Sequence, residues 1–164
     1  MTPNLAASDS IPITVDLIHA ALRQLGGFYS VYVPEFTYGG RRIDAAIIDT
    51  SKRWIRGFEI KVTRSDFLRD EKWYEYTQFC SSLSIVCPEG LIMKEEVPRP
   101  FGLLYILGTP GLTQDLRNIT VKWEKKPTRF QRRDGLAWLY RYVSVIEKEL
   151  PRMNIELNRL RGMR

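Results

Sequence analysis

Apolar positions recur along the chain with two different periods, and the switches between them mark out the elements. In residues 15–25, Leu17, Ile18, Ala21, Leu22 and Leu25 fall on one stripe at helical spacing, and Gly26-Gly27 ends the pattern. Three strand-like segments follow at close spacing: 29–38, 41–49 and 54–62. Gly39-Gly40 between the first two reads as a two-residue hairpin turn, and Thr50-Ser51-Lys52-Arg53 as a four-residue one. Thr63-Arg64-Ser65-Asp66 fits a capping box and opens a helix expected to run to about residue 80. Residues 83–87 and 102–107 are unbroken apolar runs of the kind buried on both faces of a sheet. Pro88-Glu89-Gly90 breaks the first run, residues 94–100 form a polar connection, and the turn 108–111 leads to a further strand over 119–123. From about Asp134, the spacing of Leu136, Leu139, Val143, Ile146 and Leu150 gives one apolar helical face, which Pro151 kinks or ends.

The order α-β-β-β-α-β predicts an α/β domain with a mixed central β-sheet flanked by helices. Its length of 164 residues suits a single domain, taken as 13–164 with a basic C-terminal helical part, behind a loosely ordered lead-in at 1–12. That lead-in lacks the basic and apolar regions of a secretory signal, and no apolar run is long enough for a membrane span. A cytoplasmic protein without a membrane partner is expected. The cysteines are Cys80 and Cys87, and the histidine is His19, which excludes a Cys/His zinc site and a disulfide framework. Both thiols are expected to be reduced and buried, and His19 to be structural. A GxxxxGK[ST] loop is absent, so no nucleotide cofactor is implied.

Charge changes the picture through its distribution. Residues 1–100 carry 12 Lys/Arg against 13 Asp/Glu, whereas residues 101–164 carry 13 against 6. The excess peaks over 122–133, where Trp123 and Phe130 sit among six cations, Lys125 and Lys126 included. Such a stretch suits a phosphate backbone, with aromatics to stack on bases, or else it is a solvated cationic surface.

The two turns also fix a register. Centring one on Gly39-Gly40 sets Glu35 opposite Asp44, and centring the other on Ser51-Lys52 sets Asp44 opposite Glu59. Opposed side chains lie about 4.5–5.5 Å apart at Cβ, so like charges there need an offset, and a divalent cation with oxygen ligands is a natural one. Along Gly57-Phe58-Glu59-Ile60-Lys61-Val62, strand alternation puts Phe58, Ile60 and Val62 on one face and Glu59 and Lys61 on the other. An acid and a base backed by an apolar face suit a phosphodiesterase site: Glu59 to bind metal, Lys61 to orient water or steady developing charge. E-x-K alone means little, because 11 Glu and 8 Lys make it about an even chance, and Glu124-Lys125-Lys126 is a second instance. The signal is the hairpin that pairs Asp44 with E-x-K and runs at once into a capped helix.

With Arg42-Ile43-Asp44, Glu59-Ile60-Lys61, the stretch SDFLRDEKWYEYTQFC and the strand ending Val86-Cys87-Pro88, the chain resembles the MmcB-like endonucleases, a DNA-repair-associated branch of the PD-(D/E)XK superfamily. The resemblance covers roughly residues 35–105, and Asp70-x-Lys72-Trp73-x-x-Tyr76 followed by Cys80 is its most distinctive part. It implies a restriction-endonuclease-like core, a Mg²⁺ or Mn²⁺ requirement and DNA as partner and substrate. Asp44 and Glu59 would be metal ligands with the Ile60 carbonyl, Lys61 the catalytic lysine, and Glu35 an additional acid. Ile43 replaces the proline of the namesake motif, and the first helix offers no Glu. Lys72 and Tyr76 contact phosphate if their helix face looks toward Lys61; otherwise Trp73 and Tyr76 pack in the core with Lys72 at its edge. Arg41 and Arg42 beside the Gly-Gly turn are backbone contacts or plain surface. The expected function is a metal-dependent DNA nuclease in repair or in phage and mobile-element DNA processing. The alternative is a non-catalytic nucleic-acid-binding module that keeps the fold. Either is compatible with a homodimer.

Overall fold

Two glycines set the first hairpin. Gly39 and Gly40 both have positive φ, 56° and 76°, a backbone that side-chain-bearing residues enter at a cost. They join β1 (Ser30–Tyr38) to β2 (Arg41–Asp49), and the ladder runs from Tyr38 opposite Arg41 to Ser30 opposite Asp49. At the second turn the Asp49 carboxylate accepts the Lys52 N–H at 2.9 Å and the Ser51 hydroxyl at 2.8 Å, while Arg53 takes φ 54°. β3 (Trp54–Ile60) then pairs back on β2 from Trp54 opposite Asp49 to Phe58 opposite Ala45. Both registers follow from the turn centres.

The computed structural model describes residues 12–70, 72–108 and 119–130. They form an α/β arrangement in which a six-stranded mixed sheet, in the order β1-β2-β3-β4-β5-β6, is flanked by helices. β4 (Ser82–Pro88) and β5 (Gly102–Gly108) run parallel to β3, and β6 (Ile119–Lys125) closes the edge antiparallel to β5. The lead-in before residue 12, the turn at 109–111 and the helix expected from Asp134, with its break at Pro151, lie outside the described residues.

Each sheet face has its own core. Helix α1 (Val15–Gln24) starts where the Thr14 hydroxyl accepts the Leu17 N–H, and it buries Leu17, Ile18, Ala21 and Leu22. Ile18, Ala21 and Leu22 meet Ala45, Ile47, Phe58 and Ile60 of the sheet, each fully buried large side chain contributing roughly 1.5–3 kcal/mol. The opposite face packs Ile43, Ala46, Ile48, Ile55 and Leu83 under Phe67, Trp73, Tyr76, Phe79 and Phe101. Gly57 allows the close approach there, because a Cβ on it would meet Cys80 Sγ and Ile43 Cδ1 at 2.6 Å. Cys80 and Cys87 are buried free thiols, and His19 Nδ1 bonds the Tyr32 hydroxyl. Among the described residues no helix is long and apolar enough to cross a membrane.

One expectation needs correction. The helix expected over 63–80 is two pieces, α2 (Arg64–Arg69) and α3 (Trp73–Tyr76). It breaks at Asp70, which adopts an extended φ of −94° and ψ of 111° and uses its carboxylate on the Lys72 N–H at 3.1 Å and on Lys61. Of the aromatics offered for base stacking, Trp123 is half-buried against the α1-side core, and Phe130 is half-buried 6.3 Å from Phe101 against the other.

Candidate active site

Strand alternation alone delivers Glu59 and Lys61 to the same side of β3, and packing then buries both. Glu59 is 4% exposed and Lys61 5%, while Ile60 between them points into the α1-side core. Past the end of the β3 ladder, the Lys61 N–H still donates to the Val86 carbonyl at 2.9 Å, which anchors the lysine's backbone on β4. Asp44 is half-buried on β2, one step beyond the last β2–β3 pair. Its Oδ2 accepts the Ile60 N–H at 2.7 Å, fixing it against the backbone between Glu59 and Lys61.

The helical segment completes the cluster. Lys61 Nζ stands 2.6 Å from Asp70 Oδ2, 3.6 Å from Glu59 Oε2 and 3.8 Å from Asp66 Oδ2. Thr63 caps α2 by accepting the Asp66 N–H at 3.2 Å, so the capping box contributes its Thr half, and Asp66 turns its side chain toward Lys61. Tyr76 is buried among these groups and acts on the Glu59 carboxyl. Stripping Lys61 of all three acids would leave a buried, unpaired charge, at a cost of about 3–5 kcal/mol.

The electrostatics follow from this crowding. Burial first, then the charge of Asp44, pushes the Glu59 carboxyl up to about 8, while Lys61 and the Tyr76 hydrogen bond pull the other way. Burial alone would lower the Lys61 ammonium, but the Asp70 hydrogen bond and the charge of Glu59 outweigh it and hold the group above its ordinary value. The same contact holds Asp70 below the usual carboxylate range against its own burial. Burial and the adjoining Glu59 raise the Tyr76 phenol, so it stays a donor.

Asp44, Glu59 and Lys61 are therefore brought together, and Glu35 is not. Its register position opposite Asp44 is as expected, but the β1–β2 ladder skips that pair, and Glu35 takes φ 48°. Its exposed carboxylate lies 3.3 Å from Arg42 instead. Among the described residues no three His, Cys, Asp or Glu side chains converge as a metal-holding group. Of the residues expected on DNA, Tyr76 is buried on Glu59, which is the core alternative. Lys72 is exposed at the start of α3, Lys126 is exposed after β6, and Arg42 is the exposed partner of Glu35. Arg41 ion-pairs with Glu75, and the Lys125 ammonium bonds the Val97 carbonyl. The second E-x-K lies on the edge strand, with Glu124 3.4 Å from Lys122.

Sequence reasoning missed Asp70 and gave Asp66 only a capping role. A signal existed: the two are four apart, a like-charge spacing that weakens a continuous helix unless a cation faces it.

No protein-family model and no curated protein matches the chain. Among solved structures, a protein of unknown function from Silicibacter pomeroyi is similar, with a TM-score of 0.61 and 24% identity over 88% of this chain and 86% of that one. The likeness is one of fold.

Proposed function

We propose that the chain is a metal-dependent nuclease of the PD-(D/E)XK kind, with a restriction-endonuclease-like core, that hydrolyses DNA phosphodiester bonds in repair or in phage and mobile-element DNA processing. The observation that carries the reading is the buried Glu59–Lys61 pair, 3.6 Å apart at the end of β3, with Asp44 bonded to the backbone amide between them.

The donor chemistry fits Mg²⁺ or Mn²⁺. Asp44, Glu59 and the Ile60 carbonyl offer hard oxygen ligands, and waters and phosphate oxygens complete such a shell. Burial first and then the charge of Asp44 push Glu59 up to about 8, and a cation bound between the two acids would offset the second of these. When bound, the ion supplies Lewis acidity at the scissile phosphate. The chain's own groups do the rest. Lys61 stays protonated at neutral pH and presents a fixed positive charge where the phosphorane develops, and burial strengthens that charge's effect. Asp44 and Glu59 orient the attacking water. The exposed Lys72, Lys126 and Arg42 are the candidates for phosphate contact.

Incubating the protein with labelled duplex, single-stranded and branched DNA in Mg²⁺ or Mn²⁺ tests this. Cleavage is expected to fall at least about a hundredfold in Lys61→Ala and Asp44→Ala. Cleavage that survives both substitutions sinks the site. Tight binding without cleavage of any substrate favours the non-catalytic binding module.

A further inference from the structure

The helical segment after β3 reaches back to the lysine of E-x-K where its first piece ends. Asp70 closes α2 in an extended conformation, φ −94° and ψ 111°, with its carboxylate 2.6 Å from the Lys61 ammonium, and Tyr76 of α3 is buried further on.

Packing holds the arrangement in place. Trp73, between the two, stacks on Phe67 at 5.4 Å and meets Phe101 edge-on at 5.8 Å. Tyr76 packs against Phe79. Asp70 is mostly shielded, with its side chain 13% exposed, and it is the shortest of the three acid contacts to Lys61. Its backbone-directed bond to the Lys72 N–H fixes the carboxylate from the other side.

We infer that Asp70 is a positioning residue that fixes the Lys61 ammonium, so that the break between α2 and α3 sets the geometry of the reacting lysine. The expected loss of rate rests on the nuclease reading; the contacts do not. Groups held to within half an ångström by such partners lose about 10–100-fold in rate when the partner goes, with substrate binding little changed.

Two readouts on the intact chain test it. The first is single-turnover cleavage of labelled DNA by wild type, Asp70→Asn and Asp70→Glu, with DNA affinity measured in parallel. Asp70→Asn is expected to cut the rate constant at least about tenfold with affinity within about twofold, and Asp70→Glu to recover part of the loss. The second is acylation of Lys61 by an amine-reactive ester, mapped by mass spectrometry and referenced to the exposed Lys94. Lys61 is expected to label severalfold faster in Asp70→Asn, and near the wild-type rate in Asp70→Glu. Should Asp70→Asn fail to fold, Asp70→Glu against wild type carries the cleavage readout, with a rate loss smaller than tenfold expected and an unchanged rate overturning the inference. If wild type cleaves no DNA, the nuclease reading fails and acylation alone decides the Asp70 contact. Wild-type cleavage by Asp70→Asn, or unchanged Lys61 labelling in it, overturns the inference.

Discussion

Replacing Glu59 with glutamine removes a charge that the folded chain resists, so the variant should be more stable than wild type, and only above a definite pH. The unfolded chain loses the Glu59 proton near the ordinary 4.5, whereas the folded chain keeps it until about 8. Between those values the folded state binds more protons than the unfolded one, so this group's contribution falls as pH rises and is lowest above 8. At about 1.4 kcal/mol per pH unit the ceiling is about 5 kcal/mol. Relaxation around buried charges brings the expected effect to about 2–3 kcal/mol. Glutamine carries no charge at any of these pH values. The Glu59→Gln advantage should therefore be near zero at pH 4.5, grow through neutrality and level off above pH 8. At the plateau it corresponds to about 4–12 °C in Tm for a chain of this size. The assay is denaturant or thermal unfolding of both proteins in chelator-containing buffer from pH 4.5 to 9, read as a difference so that other titrating groups cancel. A difference that stays flat with pH, or a variant less stable than wild type at pH 9, would refute the reasoning.

Mg²⁺ or Mn²⁺ should raise the Tm of wild type in proportion to the logarithm of its concentration, with proton release, and should do neither in Asp44→Ala; equal shifts in both proteins would remove Asp44 from the ligand set. Gly57→Ala should lower the denaturation midpoint by the equivalent of about 1–3 kcal/mol, because its new methyl meets Cys80 and Ile43 at 2.6 Å; an unchanged midpoint would contradict that packing. The paired hydrogen bonds of Arg64 hold Glu96 down to about 2, so that interaction is present above pH 4.5 and lost as pH falls toward 2. Wild type and Arg64→Ala should accordingly converge in stability across that window, as followed by circular dichroism during acid titration; parallel curves would mean the pair contributes nothing.

The fold was legible wherever one local rule decided the outcome. Two glycines at positive φ centre the first hairpin, and an aspartate closing its own turn centres the second, so Glu35, Asp44 and Glu59 took the register positions that turn chemistry alone assigns. The apolar runs of β4 and β5 became the interior strands of the sheet, because a strand covered on both faces has no room for alternation. Legibility failed where side chains chose among distant partners. Glu35 sits where register puts it, yet its backbone leaves the β region and its carboxylate goes to Arg42, an outcome no periodicity encodes.

The helix break shows why the site was harder to read than the fold. Helical propensity and a good cap at Thr63 both argue for continuity through residue 80, and each is worth about 1 kcal/mol or less per residue. Against them stands one buried lysine. Glu59 at 3.6 Å and Asp66 at 3.8 Å are longer contacts than Asp70 makes, and pairing a buried ammonium closely is worth more than one helical residue, so the chain leaves the helix at Asp70 and delivers that carboxylate at 2.6 Å. The stronger of the two pulls on residue 70 comes from a partner on β3, outside any local window of sequence around it. It follows that a strand carrying a buried E-x-K should be read together with the helix after it: an acid there that disrupts an otherwise sound helical pattern marks the residue that the lysine has called in.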